Sequence, residues 1–332
     1  MRRFNANFSV TICAALALAA SAPAGAGEAG LGARPTPAAD HHQHLFSPAA
    51  AAWMSSSMAL APIDADELVA QLDVAGIGRA AVLSAAHAYG APSRTVDHEY
   101  ARVRAENDWI AAQAARHPER LVALCSFNPL KDYALRELGR CATSAGFGRG
   151  IKLDFAASDV QLDRPEHVER LRRVFRAANA HGMAIVLDMR ASRARSPYGA
   201  EQARVLLEQV LPFAPDVTVQ VTHLAGNGPG FGDTPARDAL AVLAEAAARH
   251  DPRMRQVWFD VAAVVRADLP ADEARRLVRR LRQLGMDRVL YGSDAPPGNA
   301  LDANSGWEAF LRLPLDEAET ARVARNVVPY LR

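Results

Sequence analysis

The feature that most constrains this chain is an alternation. From residue 38 onward, short apolar runs suited to strands alternate with longer amphipathic stretches suited to helices. Strands are expected where the histidine-rich segment 40–44 closes the first run, then at 79–84, 120–127, 150–155, 183–189, 217–223, 256–261 and 288–294. Helices are expected at 63–76, 96–117, 131–146, 165–181, 199–213, 235–250 and 270–284, with two closing segments at 307–313 and 315–327. Val217 to His223 is the clearest strand, being β-branched at alternate positions. Asp64 and Gly76 bracket the first helix as cap residues, and Pro165 suits a first helical position.

Strands and helices that alternate in this way build a parallel sheet, because each strand must return to the same edge before the next begins. Eight such returns specify a TIM (β/α)8 barrel, a single α/β domain over residues 38–332. A doubly wound open sheet is the competing architecture, but the glycine fingerprint it would carry after the first strand is missing. The glycine-rich run from Gly226 to Gly232 follows strand six, contains a proline and leads into no prompt helix, so it reads as an active-site loop.

The chain ahead of residue 38 has another character. Arg2 and Arg3 precede an apolar run of 13 residues, Phe8 to Ala20, and small residues follow at Ala22, Ala24 and Ala26. This is the pattern of a secretory signal peptide over residues 1–26, followed by a flexible Gly/Ala/Pro-rich leader at 27–37. The run falls short of the ~20 residues of a spanning helix, so export to the periplasm or the medium is expected, with no membrane partner. Removal of the signal leaves 36 of the 38 basic residues against 37 acidic ones, a balance that gives no footing for nucleic acid. Cys125 and Cys141 remain, either as one disulfide or as two buried thiols.

In a TIM barrel the chemistry sits at the carboxyl ends of the strands. Imidazole or carboxylate falls at six of the eight: His42 and His44 on strand one, Asp154 on four, Asp188 on five, His223 on six, Asp260 on seven and Asp294 on eight. An extended backbone would aim Asp40, His42 and His44 at one point. Neutral imidazoles and carboxylates are the ligands of Zn²⁺ and similar ions, and an open position on such an ion activates water. Lys152, one of two lysines in the chain, shares the inward face of strand four with Asp154. It either pairs with a barrel carboxylate or captures a substrate carboxylate, a role Arg190 could share. His87, after strand two, is either a pocket residue or a solvated loop histidine.

Three motifs then point to a family. Asp40-His41-His42-Gln43-His44, Thr222-His223-Leu224-Ala225-Gly226 and Tyr291-Gly292-Ser293-Asp294-Ala295-Pro296, in this order, resemble the amidohydrolase superfamily and its amidohydrolase-related branch. The likeness extends to Asn326-Val327-Val328-Pro329-Tyr330 near the end. It implies one or two divalent metals, zinc first and manganese as the alternative, with His42, His44 and Asp294 as ligands. Asp294 would also take a proton from metal-bound water, and His223 would orient that water or polarise a substrate oxygen. Where the branch usually ends strand five in a metal-binding histidine, this chain has Asp188, expected to substitute as a ligand. Some relatives carbamylate a strand-four lysine, the position of Lys152.

The resemblance therefore implies a metal-dependent hydrolase that attacks a lactone, ester or amide. The alternative is a non-oxidative decarboxylase of an aromatic or unsaturated acid, and a third reading is a non-catalytic binding barrel. The expected partner is a small-molecule substrate, and a homodimer is compatible with the branch.

Overall fold

The computed structural model describes residues 34–54, 60–148, 150–294 and 303–332. The expected signal peptide, the leader up to residue 33, and Ala295 and Pro296 lie outside the described residues.

Eight strands lie side by side in sequence order, each parallel to the next. They are Ala39–Gln43 (β1), Arg79–Leu83 (β2), Leu121–Ser126 (β3), Gly150–Asp154 (β4), Ala184–Asp188 (β5), Val219–Val221 (β6), Val257–Asp260 (β7) and Val289–Leu290 (β8). Two backbone bonds bring the ends of the sheet together: His41 N–H donates to the Tyr291 carbonyl at 3.0 Å, and Asp294 N–H to the His42 carbonyl at 2.9 Å. The result is the TIM barrel that the alternation predicts, in one compact unit from Pro35 to Arg332.

Strand parity sets the two cores. Ala39, Ala81, Leu83, Leu124, Val186 and Leu290 point into the barrel, where Val328 and Leu331 from the chain end pack against them. The opposite faces of the strands, such as Ile151, Ile185, Val219 and Phe259, meet the surrounding helices in a larger cluster. Lys152 pairs in register with Val186, and Asp154 with Asp188, so both β4 residues share the inward face above that apolar layer.

Local signals fix the helix ends. The helix Ala65–Ala75 is closed by a capping box between Asp64 and Glu67 and by Gly76 in the left-handed conformation at φ 69°. The helix Pro165–Ala180 carries its proline in the first turn. A helix at Pro48–Met54 was not expected from periodicity, since its seven residues are mostly alanine. Cys125 on β3 and Cys141 on the helix Ala134–Thr143 form a disulfide, which settles their pairing in this fold.

Candidate metal centre

Three histidines meet at the carboxyl ends of the strands, and each has its Nδ1 engaged. His42 Nδ1 lies 3.1 Å from Asp260 Oδ2. His44 Nδ1 lies 2.8 Å from the Leu83 carbonyl, and His223 Nδ1 lies 2.8 Å from the Ala262 carbonyl. Those oxygens only accept, so in the neutral rings the Nδ1 atoms donate and the Nε2 atoms keep their lone pairs. The Nε2 atoms of His42 and His44 both lie 3.6 Å from Asp294 Oδ1. His223 Nε2 stands 3.9 Å from Asp294 Oδ2 and 3.8 Å from Asp188 Oδ2.

Acceptors therefore face acceptors around one small space, an arrangement that needs a cation at its centre. His42, His44 and Asp294 offer ligand atoms that all lie within 4.8 Å of one another, a set of two imidazoles and one carboxylate that fits a divalent ion. The charges agree: Asp154, Asp188, Asp260 and Asp294 outnumber the nearby cations Lys152 and Arg190 by two.

The environment keeps the donors in their binding forms. Burial, helped by the neighbouring His42, pushes His44 down to about 3, and the same two causes lower His223. Burial alone would raise the Asp294 carboxyl, but His42, His223, His44 and Lys152 together hold it below the usual range. Burial opposes ionisation of Asp260 too, and there the contact with His42 wins and draws the pKa down.

The backbone carries strain at two of these positions. His223 adopts φ 52° and Asp294 φ 50°, left-handed conformations that cost a non-glycine residue about 1–2 kcal/mol. Leu224 and Ala225 continue the left-handed run after β6. As a result the strand expected to reach His223 stops at Val221. The turn is held because Asp260 Oδ1 accepts the His223 amide at 2.8 Å. Gly292 lets β8 close on β1, since a Cβ there would stand 2.8 Å from the His42 Cβ.

The remaining expected residues gather around this centre. Lys152 is 2% exposed and its ammonium makes no hydrogen bond or ion pair among the described residues, in contrast to the pairing with a barrel carboxylate that was one of the two expectations. Asp154 instead has Oδ2 3.5 Å from His87 Nε2, while His87 Nδ1 sits 2.8 Å from the Ser126 hydroxyl. His87 is buried, not solvated. A cavity of about 580 Å³ opens over His87 and Asp154, walled by Trp53, Met54, Arg94 and Arg195. Asp188 is bonded through both oxygens to Arg190.

Asp40 departs from the expected convergence. It turns from the histidines to accept from Gln43 at 2.8 Å and from the Ser293 hydroxyl, so it clasps β1 to the end of β8. Asp260, part of the strand-end census but not counted among the site residues, proves to be the acceptor that orients His42. Its placement follows from β7, and its tie to Gln220 at 2.7 Å and onward to Tyr330 carries no local sequence signal. Ser126, which aligns His87, was likewise missed.

The family model for amidohydrolases matches residues 39–326. No curated protein matches the chain. Solved structures share the barrel. The 5-carboxyvanillate decarboxylase of Sphingomonas paucimobilis is 16% identical, with a TM-score of 0.60 over 87% of this chain and 96% of its own. The 2,6-dihydroxybenzoate decarboxylase from Rhizobium is 16% identical, with a TM-score of 0.61 over 87% and 96%. The 5-carboxyvanillate decarboxylase of Novosphingobium aromaticivorans, solved with manganese and a nitrobenzoic acid, is 15% identical, with a TM-score of 0.61 over 88% and 94%.

Proposed function

The chain belongs to the amidohydrolase family, and from that membership we propose that it is a metal-dependent decarboxylase of an aromatic or unsaturated carboxylic acid. The observation that carries this reading is Lys152, a buried ammonium without a protein partner among the described residues, set among His44, Asp154, Asp188 and Asp294. A cation in that position is left for an anionic group of the substrate, and a carboxylate is the anionic group that decarboxylation requires. The named decarboxylases with the same barrel add support at the level of fold.

Loss of CO₂ breaks one carbon–carbon bond and leaves its electron pair on carbon, which must then gain a proton. Asp294 Oδ2 and His223 Nε2, 3.9 Å apart, would hold and return that proton. His42, His44 and Asp294 would hold the ion. When bound, a divalent ion supplies a fixed positive charge against the substrate's oxygens. The donor set accepts zinc and manganese alike. The cavity beside Trp53 and Met54 offers apolar wall to a planar substrate, and Asp154 and His87 line its floor. We also infer export, which the Cys125–Cys141 disulfide suits.

Hydrolysis by activated water, ranked first from the sequence alone, would use the same residues, so the products decide. Metal-loaded protein is incubated with hydroxybenzoic acids and, separately, with lactones, esters and amides. Release of CO₂ from an acid supports the proposal. Cleavage of a lactone, ester or amide with no CO₂ from any acid overturns it, and ligand binding with no turnover points to the binding-barrel reading.

A further inference from the structure

The end of β5 holds an ion pair with unequal partners. Arg190 Nε lies 2.9 Å from Asp188 Oδ1 and 3.2 Å from Oδ2, and Nη2 lies 2.5 Å from Oδ2. The carboxylate is 2% exposed, whereas the arginine side chain is 38% exposed. Asp188 is therefore the buried anchor and Arg190 the part that reaches outward.

A second contact fixes the arginine stem. Gly226, in the turn after β6, has φ 96°, and a Cβ on it would stand 2.8 Å from Arg190 Cγ and 2.8 Å from the Met189 carbonyl oxygen. The stem thus lies against bare backbone on one side while the guanidinium is gripped by Asp188. A guanidinium has five N–H groups in a rigid fork, and the edge carrying Nη1 makes no bond to protein among the described residues. The side chain starts two residues beyond Asp188, just past the carboxyl end of β5, on the side of the barrel where the strand-end residues gather.

A carboxylate held by three such contacts is poorly available to a metal. Capturing it would strip the charge-assisted bonds from a partly exposed guanidinium and leave its charge without a protein partner. Asp188 also stands outside the set formed by His42, His44 and Asp294.

We propose that Asp188 is a positioning residue and not a metal ligand: it presents Arg190, which together with Lys152 receives the carboxylate of the substrate beside the His42, His44 and Asp294 triad. This assignment rests on the decarboxylase reading for its ligand, but its test does not depend on turnover. Gly226 is part of this arrangement because it makes room for the arginine stem.

The experiment is calorimetric titration of the folded wild type, Asp188→Asn, Arg190→Gln and Arg190→Lys with Mn²⁺, and then of each Mn²⁺-loaded protein with benzoate and with neutral benzamide. All four are expected to bind Mn²⁺ within about threefold of one another. The preference for benzoate over benzamide should fall about tenfold or more in Asp188→Asn and Arg190→Gln, with part of it regained in Arg190→Lys. Loss of Mn²⁺ affinity by tenfold or more in Asp188→Asn would make Asp188 a ligand and overturn the proposal. So would an unchanged preference in Arg190→Gln. If Asp188→Asn does not fold, Arg190→Gln decides alone, because freeing a true ligand would change its Mn²⁺ affinity. Absence of CO₂ release from every acid would refute the decarboxylase reading and leave the benzoate ratio to judge this one.

Discussion

His42 Nδ1 lies 3.1 Å from Asp260 Oδ2, and the other oxygen of that carboxylate accepts the His223 amide at 2.8 Å. One buried side chain on β7 thereby sets the ring orientation of a metal-site histidine on β1 and the turn that carries a second histidine after β6. Asp260→Asn keeps the shape but turns an obligate acceptor into a group that also donates. We expect metal affinity to fall by roughly 10–100-fold, the usual effect of losing such an outer partner, with the fold retained. Competition for Mn²⁺ or Zn²⁺ against a chromophoric chelator measures it.

Gly292→Ala tests how closely the barrel closes. The added methyl would stand 2.8 Å from the His42 Cβ and 3.2 Å from the Ala262 Cβ, so β1 or the segment after β7 must move. Overpacking of this kind costs about 1–3 kcal/mol. A lower melting temperature and weaker metal binding are expected together, read by calorimetry and by metal titration of the folded fraction. Wild-type values for both would show that the contact is slack.

Acid should destabilise the metal-free protein before any carboxylate of ordinary pKa is protonated. Burial pushes His41 down to about 4, and burial with the neighbouring His42 pushes His44 down to about 3, each from an unfolded value of 6.5. Below pH 6.5 the unfolded chain therefore binds protons that the native protein refuses. Stability is full above that pH and falls towards the folded values, with each histidine contributing up to about 1.4 kcal/mol per pH unit. Asp260 and Asp294, lowered despite burial, lose their stabilisation in the same direction at lower pH, while Asp40, raised by burial, opposes it. Melting of chelated protein at pH 7, 6 and 5 should show a falling midpoint, and a constant one would contradict this account.

The disulfide is expected to matter for stability and little for the site. Cys125 and Cys141 are 16 residues apart, and closing a loop of that length is worth about 3 kcal/mol in the chain-entropy account. Reductant should lower the melting midpoint by roughly 5 °C in a unit of this size. Metal binding at 25 °C should survive, and its loss would show that β3 transmits strain to His87 through Ser126.

Much of this was legible from local pattern. Apolar runs and amphipathic stretches identify the eight strands and most helices, because strand and helix periods differ, and Asp64 and Gly76 mark one helix at both ends. His42, His44, His223 and Asp294 could be singled out because barrel topology gathers strand ends. What stayed hidden depends on contacts distant in sequence or on backbone shape. The helix Pro48–Met54 has too few polar residues to show a period. His87 is bonded through Nδ1 to the Ser126 hydroxyl, 39 residues away, and nothing near His87 announces that contact. Asp188 and Arg190 are two residues apart, but their pairing needs Gly226 from the next strand's turn to clear the way. Asp40 shares a motif with His42 and differs in role because Ser293 claims it.

The central claim, a divalent metal held by His42, His44 and Asp294 that serves decarboxylation, is tested most directly by release of labelled CO₂ from carboxyl-labelled hydroxybenzoic acids. Chelated wild type is assayed before and after adding Mn²⁺ or Zn²⁺, beside His42→Ala and His44→Ala given the same metal. The account predicts release only in reloaded wild type, with both variants reduced at least about a hundredfold. Equal release from chelated and reloaded protein, or full release from either variant, would contradict it.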